Sequence, residues 1–263
     1  MKQYQKMVVI FVDLLGTENN VKFEDKLFIH RIFHSEAKQN ESRNLENVVY
    51  DRKVYSFSDC AYFFYYYKDG IEESRKDDMK LLQIAMHNTA LSLLRILNSG
   101  YLVRGGIMLG DAYFDELGFF GPAVEVAYKL ESKYAKVPIV ALQPELGQRF
   151  SSWELSQTNM ELVELLMTGR PKLVEQFEEK YFLNMFYQLE AFNPSLHLET
   201  EEIEINCLKK KLFEVISRDK VKCAENADVM LKLNWMEEYV KTKRNYLRHD
   251  IVGNGFSGIV SDE

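Results

Sequence analysis

Two short apolar runs each close on an aspartate, and that arrangement limits what the chain can become. The first is Val8-Val9-Ile10-Phe11-Val12, leading into Asp13-Leu14-Leu15-Gly16-Thr17; the second is Val54-Tyr55-Ser56-Phe57-Ser58, leading into Asp59-Cys60. Runs this short, rich in β-branched and aromatic residues and bounded by turn formers, read as buried strands. A carboxylate at the end of such a strand sits where the core meets water. Taken singly, either aspartate reads most simply as a cap for the following helix. Side by side they repel, and a divalent cation between them removes the repulsion.

The segments around them predict an order of elements. After the strand ending at Asp13, apolar residues from Val21 onward (Phe23, Leu27, Phe28, Ile32, Phe33) keep helical spacing. A polar stretch over 38–47 precedes two strands, 48–58 and 61–67, which form a hairpin with Asp59 at its tip. Leu82, Ala85, Met86, Thr89, Leu93, Ile96 and Leu97 then mark a helix stopped by Asn98-Ser99-Gly100. A strand over 101–109, a partner with a turn over 111–120, a helix over 123–134 and a short strand over 138–142 follow. This βαββαβ order is the split βαβ, or ferredoxin-like, pattern of the α+β class: a mostly antiparallel sheet with helices on one face. Beyond Gln143 the texture turns helical, over 160–167, 172–181, 203–216 and 229–246, with no Pro/Gly linker in between. The expected organisation is a core over 1–150, a mainly helical extension over 151–252 packed on it, and a mobile tail over 253–263.

Bulk properties exclude several classes of function. With 33 basic and 40 acidic residues the net charge is −7, and no basic stripe invites duplex nucleic acid. Three scattered cysteines without a C-x-x-C pair argue against a disulfide framework and a zinc knot, and fit a reducing cytoplasm. No cleavable leader and no bilayer-length apolar stretch can be read, so a soluble protein is expected. Gly105-Gly106 with Gly110 lacks the Gly-Lys-Ser/Thr ending of a phosphate loop. His30 and His34 are the one histidine pair at helical spacing, and such a pair is more often a polar helix face than a ligand pair. Cys60 reads as a small buried filler.

Three blocks in matching order resemble the class III nucleotidyl cyclases. Phe11-Val12-Asp13-Leu14-Leu15-Gly16-Thr17 resembles the family's first metal strand, and Ser58-Asp59 its second metal hairpin. Arg104-Gly105-Gly106-Ile107-Met108-Leu109-Gly110 and the stretch from Gly121-Pro122-Ala123 to Leu130-Glu131-Ser132 are similar to its R-x-G-I-x-x-G strand and following helix. Departures accompany the likeness. Tyr55 and Gly118 occupy the two positions where purine cyclases read the base, and Glu125 and Lys129 replace the helix Asn and Arg. These features, with the helix bearing Trp235, look most like the pyrimidine cyclases of the bacterial Pycsar anti-phage system.

The resemblance implies a lyase that converts CTP or UTP to the 3′,5′-cyclic monophosphate and pyrophosphate. It assigns two Mg2+ or Mn2+ ions to Asp13, Leu14 and Asp59, transition-state charge to Lys129, and substrate contacts to Tyr55, Gly16, Thr17, Glu125 and Arg104. It further implies a cytoplasmic head-to-tail homodimer with sites at the interface, and a separate effector protein that responds to the cyclic product. The plainer readings stand beside these: a tight turn at Gly16, a strand aromatic at Tyr55, a solvated Lys129, an ion-paired Arg104. A non-catalytic nucleotide-sensing module with the same fold is the alternative. A polymerase-palm synthase is disfavoured, because Phe57-Ser58-Asp59-Cys60 is not a Gly-Gly-Asp-Asp hairpin.

Overall fold

A computed structural model describes residues 3–16, 22–42, 48–157, 171–191, 195–198 and 201–243, with backbone alone over 35–42. The first six elements are β1 (Gln5–Leu15), α1 (Phe23–Ser42), β2 (Tyr50–Phe57), β3 (Cys60–Tyr67), α2 (Asp78–Asn98) and β4 (Leu102–Asp115). They form an antiparallel sheet in the order β2-β3-β1-β4, the expected split βαβ arrangement. The fold is α+β, and helices occupy its C-terminal part.

β1 is central, and it is apolar and buried from Met7 to Val12 because both of its faces are covered there. Val8, Ile10 and Val12 join a large core with Ile29, Ile32 and Phe33 of α1 and Leu82, Met86 and Leu93 of α2. Burial of each such side chain stabilises by about 1.5–3 kcal/mol, far more than the few tenths that helix propensity contributes per residue. α2 starts at Asp77, whose carboxylate accepts from the Met79 and Lys80 N–H groups at 2.9 and 3.2 Å. It stops before Gly100, which takes φ 86°.

The opposite face carries a smaller cluster built from Met7, Val9, Phe11, Phe64, Ala112, Ala123 and Ala127. The last two belong to α3 (Pro122–Lys129), so the helices do not all lie on one face as expected. α1 and α2 share one face, and α3 crosses the other before β6 (Val140–Leu142) returns parallel to β4. A glycine permits the crossing: a Cβ at Gly106 would collide with the Ala127 carbonyl.

Other boundaries differ from expectation for local reasons. The 101–109 and 111–120 segments are one long strand, β4, because β1 pairs with it as far as Gln5 opposite Ala112; only β5 (Gly118–Phe120) folds back. α1 continues through the polar stretch to Ser42. The 172–181 segment is not a helix but the hairpin β7 (Val174–Phe177) and β8 (Lys180–Leu183), turned by Glu178 at φ 53° and attached to β6 through Phe182 opposite Ala141. The sheet therefore runs β2-β3-β1-β4-β6-β8-β7 and does not end at residue 150. The predicted helix over 160–167 and the tail over 253–263 lie outside the described residues.

After α4 (Pro144–Ser156) and this hairpin come α5 (Tyr187–Ala191), the pair β9 (Ser195–His197) and β10 (Glu202–Glu204), α6 (Ile205–Lys222) and α7 (Ala227–Thr242). Lys243 anchors the end of α7. Its buried ammonium meets Glu175 at 2.5 Å, Asn184 at 3.2 Å and Glu190 at 3.6 Å, and lies 4.2 Å from the centre of the Tyr239 ring. Among the described residues no helix is long and apolar enough to cross a membrane.

Candidate functional site

Asp13 and Asp59 are neighbours because a two-residue hairpin delivers one beside the strand that carries the other. Phe57 pairs with Cys60, leaving Ser58 and Asp59 as the whole turn between β2 and β3. Ser58 adopts φ 55°, the left-handed conformation that tight hairpins need and that glycine takes more readily. β3 then sets Cys60 opposite Asp13, and the Leu14 N–H donates to the Asp59 carbonyl at 3.1 Å. Both aspartates are half-buried at the same end of the sheet.

The Cys60 thiol reports the electrostatic field between them. Burial pushes its pKa up, and the negative charges of Asp13 and Asp59 push it further, with Glu131 adding to them. Three carboxylates thus act on one sulfur atom, which stays a thiol and donates to the Phe57 carbonyl at 3.2 Å. Glu131 is buried, and Arg104, opposite Asp13 on β4, donates to it from Nε at 2.5 Å. Its helix widens there into a π turn (Leu130–Tyr134), with the Ala135 N–H on the Leu130 carbonyl at 2.7 Å. Such departures are frequent at functional sites. Asp13, Asp59 and Glu131 thus gather three carboxylates at this end of the sheet, with the Arg104 guanidinium on Glu131.

An aromatic wall adjoins the carboxylates. The Phe11 ring centre lies 4.6 Å from that of Tyr62 and 5.7 Å from that of Tyr128. The Tyr62 hydroxyl is pushed up to about 12, chiefly by burial and then by the neighbouring Cys60, Tyr128 and Glu131.

The remaining predicted residues fall into distinct places. Tyr55 shares the sheet face of Asp13 but sits two strands over, about 12 Å away at the usual strand spacing and rise. Its hydroxyl donates to the Asp115 carbonyl at 2.5 Å, and its ring packs on Phe64 and Phe119. Gly118 pairs with Asp115 in the β4–β5 hairpin, so both positions that read the base in purine cyclases adjoin Asp115. Lys129 and Glu125 are each other's partner at 3.1 Å on the exposed side of α3, an i,i+4 pair contributing at most about 0.5 kcal/mol. Arg104 is tied to Glu131.

The glycine turn differs from expectation. β1 does not stop at Asp13 but continues two residues, with Leu14 and Leu15 pairing Val103 and Leu102 of the long β4. The Leu14 N–H is therefore held by the Asp59 carbonyl. Gly16 is exposed with φ 78°, and Thr17 lies outside the described residues.

No set of three or more His, Cys, Asp or Glu side chains that could hold a metal occurs among the described residues. A cleft of about 790 Å3, lined by Tyr4, Tyr66, Lys68, Asp78 and Arg149 among others, lies at the opposite end of the sheet, where β1 begins. Glu131 is the site residue to which the sequence assigned no role: it stands in the Leu130-Glu131-Ser132 stretch, but only the structure shows Arg104 across from it. No protein-family model matches the chain, and neither does any curated protein.

Proposed function

We propose that the chain is a metal-dependent nucleotidyl cyclase acting on a pyrimidine nucleoside triphosphate. The observation that carries this reading is the pairing of Asp13 with the hairpin-tip Asp59, locked by the Leu14 N–H on the Asp59 carbonyl. The donor set fits hard divalent ions: two half-buried carboxylates brought to one end of the sheet, beside a thiol that their charge helps keep protonated. Mg2+ typically takes one or two protein carboxylates and completes its shell with substrate phosphates and water, so a three-residue cage is not needed. Bound at Asp13 and Asp59, two Mg2+ or Mn2+ ions would acidify the ribose 3′-hydroxyl and neutralise the triphosphate.

In the reaction the 3′ oxygen attacks the α-phosphorus in line and pyrophosphate leaves, so the protein's task is positioning and charge compensation. Asp13 and Asp59 fix the triphosphate end. Arg104, held by Glu131, offsets their charge from below. Lys129, on an exposed and breakable pair with Glu125, supplies positive charge to the leaving group. Tyr55 and Gly118 frame the base around Asp115, and the Tyr55 hydroxyl, already donating to Asp115, retains lone pairs that accept from a base N–H.

In the family that the chain resembles, the base-reading residues of one subunit face the metal aspartates of the other, and we read the same division here. A head-to-tail homodimer brings the Tyr55 region of one copy to the carboxylates of the other. Phe57, Leu117, Phe120 and Tyr128 are each more than half exposed, as expected of surface that a second copy covers. The cyclic product would act as a second messenger on a separate effector in anti-phage defence.

Incubation with each of the four ribonucleoside triphosphates and Mn2+, read by mass spectrometry, tests the reading. Cyclic CMP or cyclic UMP from the wild type, and none from Asp13→Asn, is expected. No cyclic product from a folded dimer would remove the enzyme and favour a nucleotide-sensing module. That second reading draws on the pairing of Arg104 with Glu131 and of Lys129 with Glu125, which engages the two cations the cyclase reading assigns to substrate.

A further inference from the structure

The sheet forks at the end away from the carboxylates. β1 and β3 pair from Asp13 opposite Cys60 up to Val8 opposite Tyr65 and no further, whereas β1 stays on β4 as far as Gln5 opposite Ala112, and β3 stays on β2 as far as Tyr67 opposite Tyr50. The two strands therefore part, and two clefts adjoin the gap. One, of about 790 Å3, reaches Met79 on the α2 face; the other, of about 490 Å3, reaches Ala112 on the α3 face. Gln3, Gln5, Tyr66, Lys68 and Asp69 line both, and Arg149 joins them in the larger. Met7, on the wall of the smaller cleft, lies six residues before Asp13, which is roughly 20 Å at the usual strand rise. We propose that this fork is a separate ligand site, for a nucleoside monophosphate: Lys68 and Arg149 hold the phosphate, Tyr66 packs on the base and Asp69 accepts from the sugar hydroxyls.

Unspent polar groups set the fork apart from the charged surface around it. Its neighbours are matched: Lys6 pairs with Asp78, Lys76 with Glu73 at 2.5 Å, and Asp77 caps α2. The Tyr67 hydroxyl is committed too, donating to the Asp77 carbonyl at 2.7 Å. Among the described residues, by contrast, Lys68, Asp69 and Arg149 have no ion-pair partner, and the Tyr66 hydroxyl has no hydrogen-bond partner. Lys68 is half-buried, so its ammonium gives up part of its hydration with no carboxylate in exchange. The Tyr66 hydroxyl is pushed up to about 12, first by burial and then by the charges of Asp51 and Asp69, and so stays a donor at ordinary pH. Phe114, with its ring centre 5.0 Å from that of Tyr66, backs the ring and fixes it. Each part of a nucleotide finds its complement here. A phosphate dianion takes two cations, the arginine as a fork and the lysine as a point charge. A base stacks on a tyrosine ring whatever its sequence identity. Ribose hydroxyls donate to a carboxylate. A triphosphate carries more negative charge than Lys68 and Arg149 offset with Asp69 beside them, which favours the monophosphate.

Equilibrium dialysis of the full chain in EDTA, with 5′-AMP and 5′-CMP as probes, tests the site without a divalent ion at the carboxylate end and without turnover. At least one probe should saturate with a Kd below about 1 mM. Lys68→Gln, Arg149→Gln and Tyr66→Leu should each weaken it by about tenfold or more, and Asp13→Asn should leave it unchanged. Inorganic phosphate, which has no base to stack, should bind at least about tenfold more weakly than the nucleotide. No saturable binding of either probe up to about 10 mM would overturn the site. So would an affinity lost in Asp13→Asn, one unchanged in any of the three fork variants, or phosphate that binds as tightly as the nucleotide. The cyclase reading stands or falls separately, on the cyclic product.

Discussion

Gly106 lies directly beneath α3, and replacing it with alanine is expected to lift that helix from the sheet. A methyl group there would strike the Ala127 carbonyl, with Leu130 Cβ at 2.7 Å and the Ala127 carbonyl carbon at 3.0 Å. Carbon atoms in contact settle at about 3.5–4.0 Å, so the helix must retreat by about 0.8 Å or more. It cannot do so freely, because Ala123 and Ala127 close the smaller core and the π turn beyond them holds Glu131 on Arg104. Overpacking costs about 1–3 kcal/mol, and an obstruction made of backbone belongs at the upper end. For a chain of this size about 3 kcal/mol corresponds to a Tm loss of about 6–12 °C. Gly110, on the same strand, is the internal control. A methyl there would meet Ala123 Cβ at 3.5 Å and Met108 Cε at 3.7 Å, which are ordinary contacts. Gly110→Ala should therefore shift stability by less than about 1 kcal/mol in either direction. Urea unfolding followed by circular dichroism measures both variants. Equal costs, or a neutral Gly106→Ala, would refute the close approach of α3 to β4.

Three further outcomes are expected. Lys243→Met removes the buried ammonium that pairs with Glu175 and Glu190, so the urea midpoint should fall by the equivalent of about 3–5 kcal/mol, and adding Glu190→Gln should recover part of it. Burial holds the His87 imidazole below its ordinary range, so the native state resists a proton that the unfolded chain takes up near pH 6.5. Stability is then full above that pH and declines as pH falls through and below it, and His87→Gln should flatten the decline in urea midpoints measured from pH 7 to pH 5. In Asp13→Asn one of the charges that keep the Cys60 thiol protonated is gone, so Cys60 should be alkylated faster at pH 8 while the exposed Cys207 is unchanged. An unaltered Cys60 rate would mean that the Asp13 carboxylate does not reach it.

Local patterns carried the parts of the fold that depend on nearby residues. The β1 run, the hairpin at Ser58-Asp59 and α2 with its Gly100 stop are each written in a few adjacent positions, through strand composition, turn chemistry and helical spacing. What depended on distant partners was not legible. The 172–181 segment had helix-like spacing, yet Phe182 finds Ala141 and the stretch becomes two strands. The extra length of β1 beyond Asp13 follows from the reach of β4, which starts about ninety residues later, and the Leu14 N–H is held by the Asp59 carbonyl. The two aspartates were visible because each ends its own apolar run. Glu131 was not, since a single acidic residue on a short amphipathic helix has no pattern of its own until Arg104 is seen opposite Asp13. The face taken by α3 was likewise hidden: Gly106 shows that something approaches closely, but not from which side.

β6 has consequences for how this molecule can be divided. Its three residues, Val140, Ala141 and Leu142, are fully buried and sit between a ribbon made early in the chain and a hairpin made after residue 170. A fragment ending at α4 would bare an apolar rim with open hydrogen-bonding groups, an invitation to stick to its own kind. The carboxylate-bearing half is thus not a portable cassette: the later hairpin is its seal, and synthesis must proceed beyond that point before the earlier strands are safe from self-association.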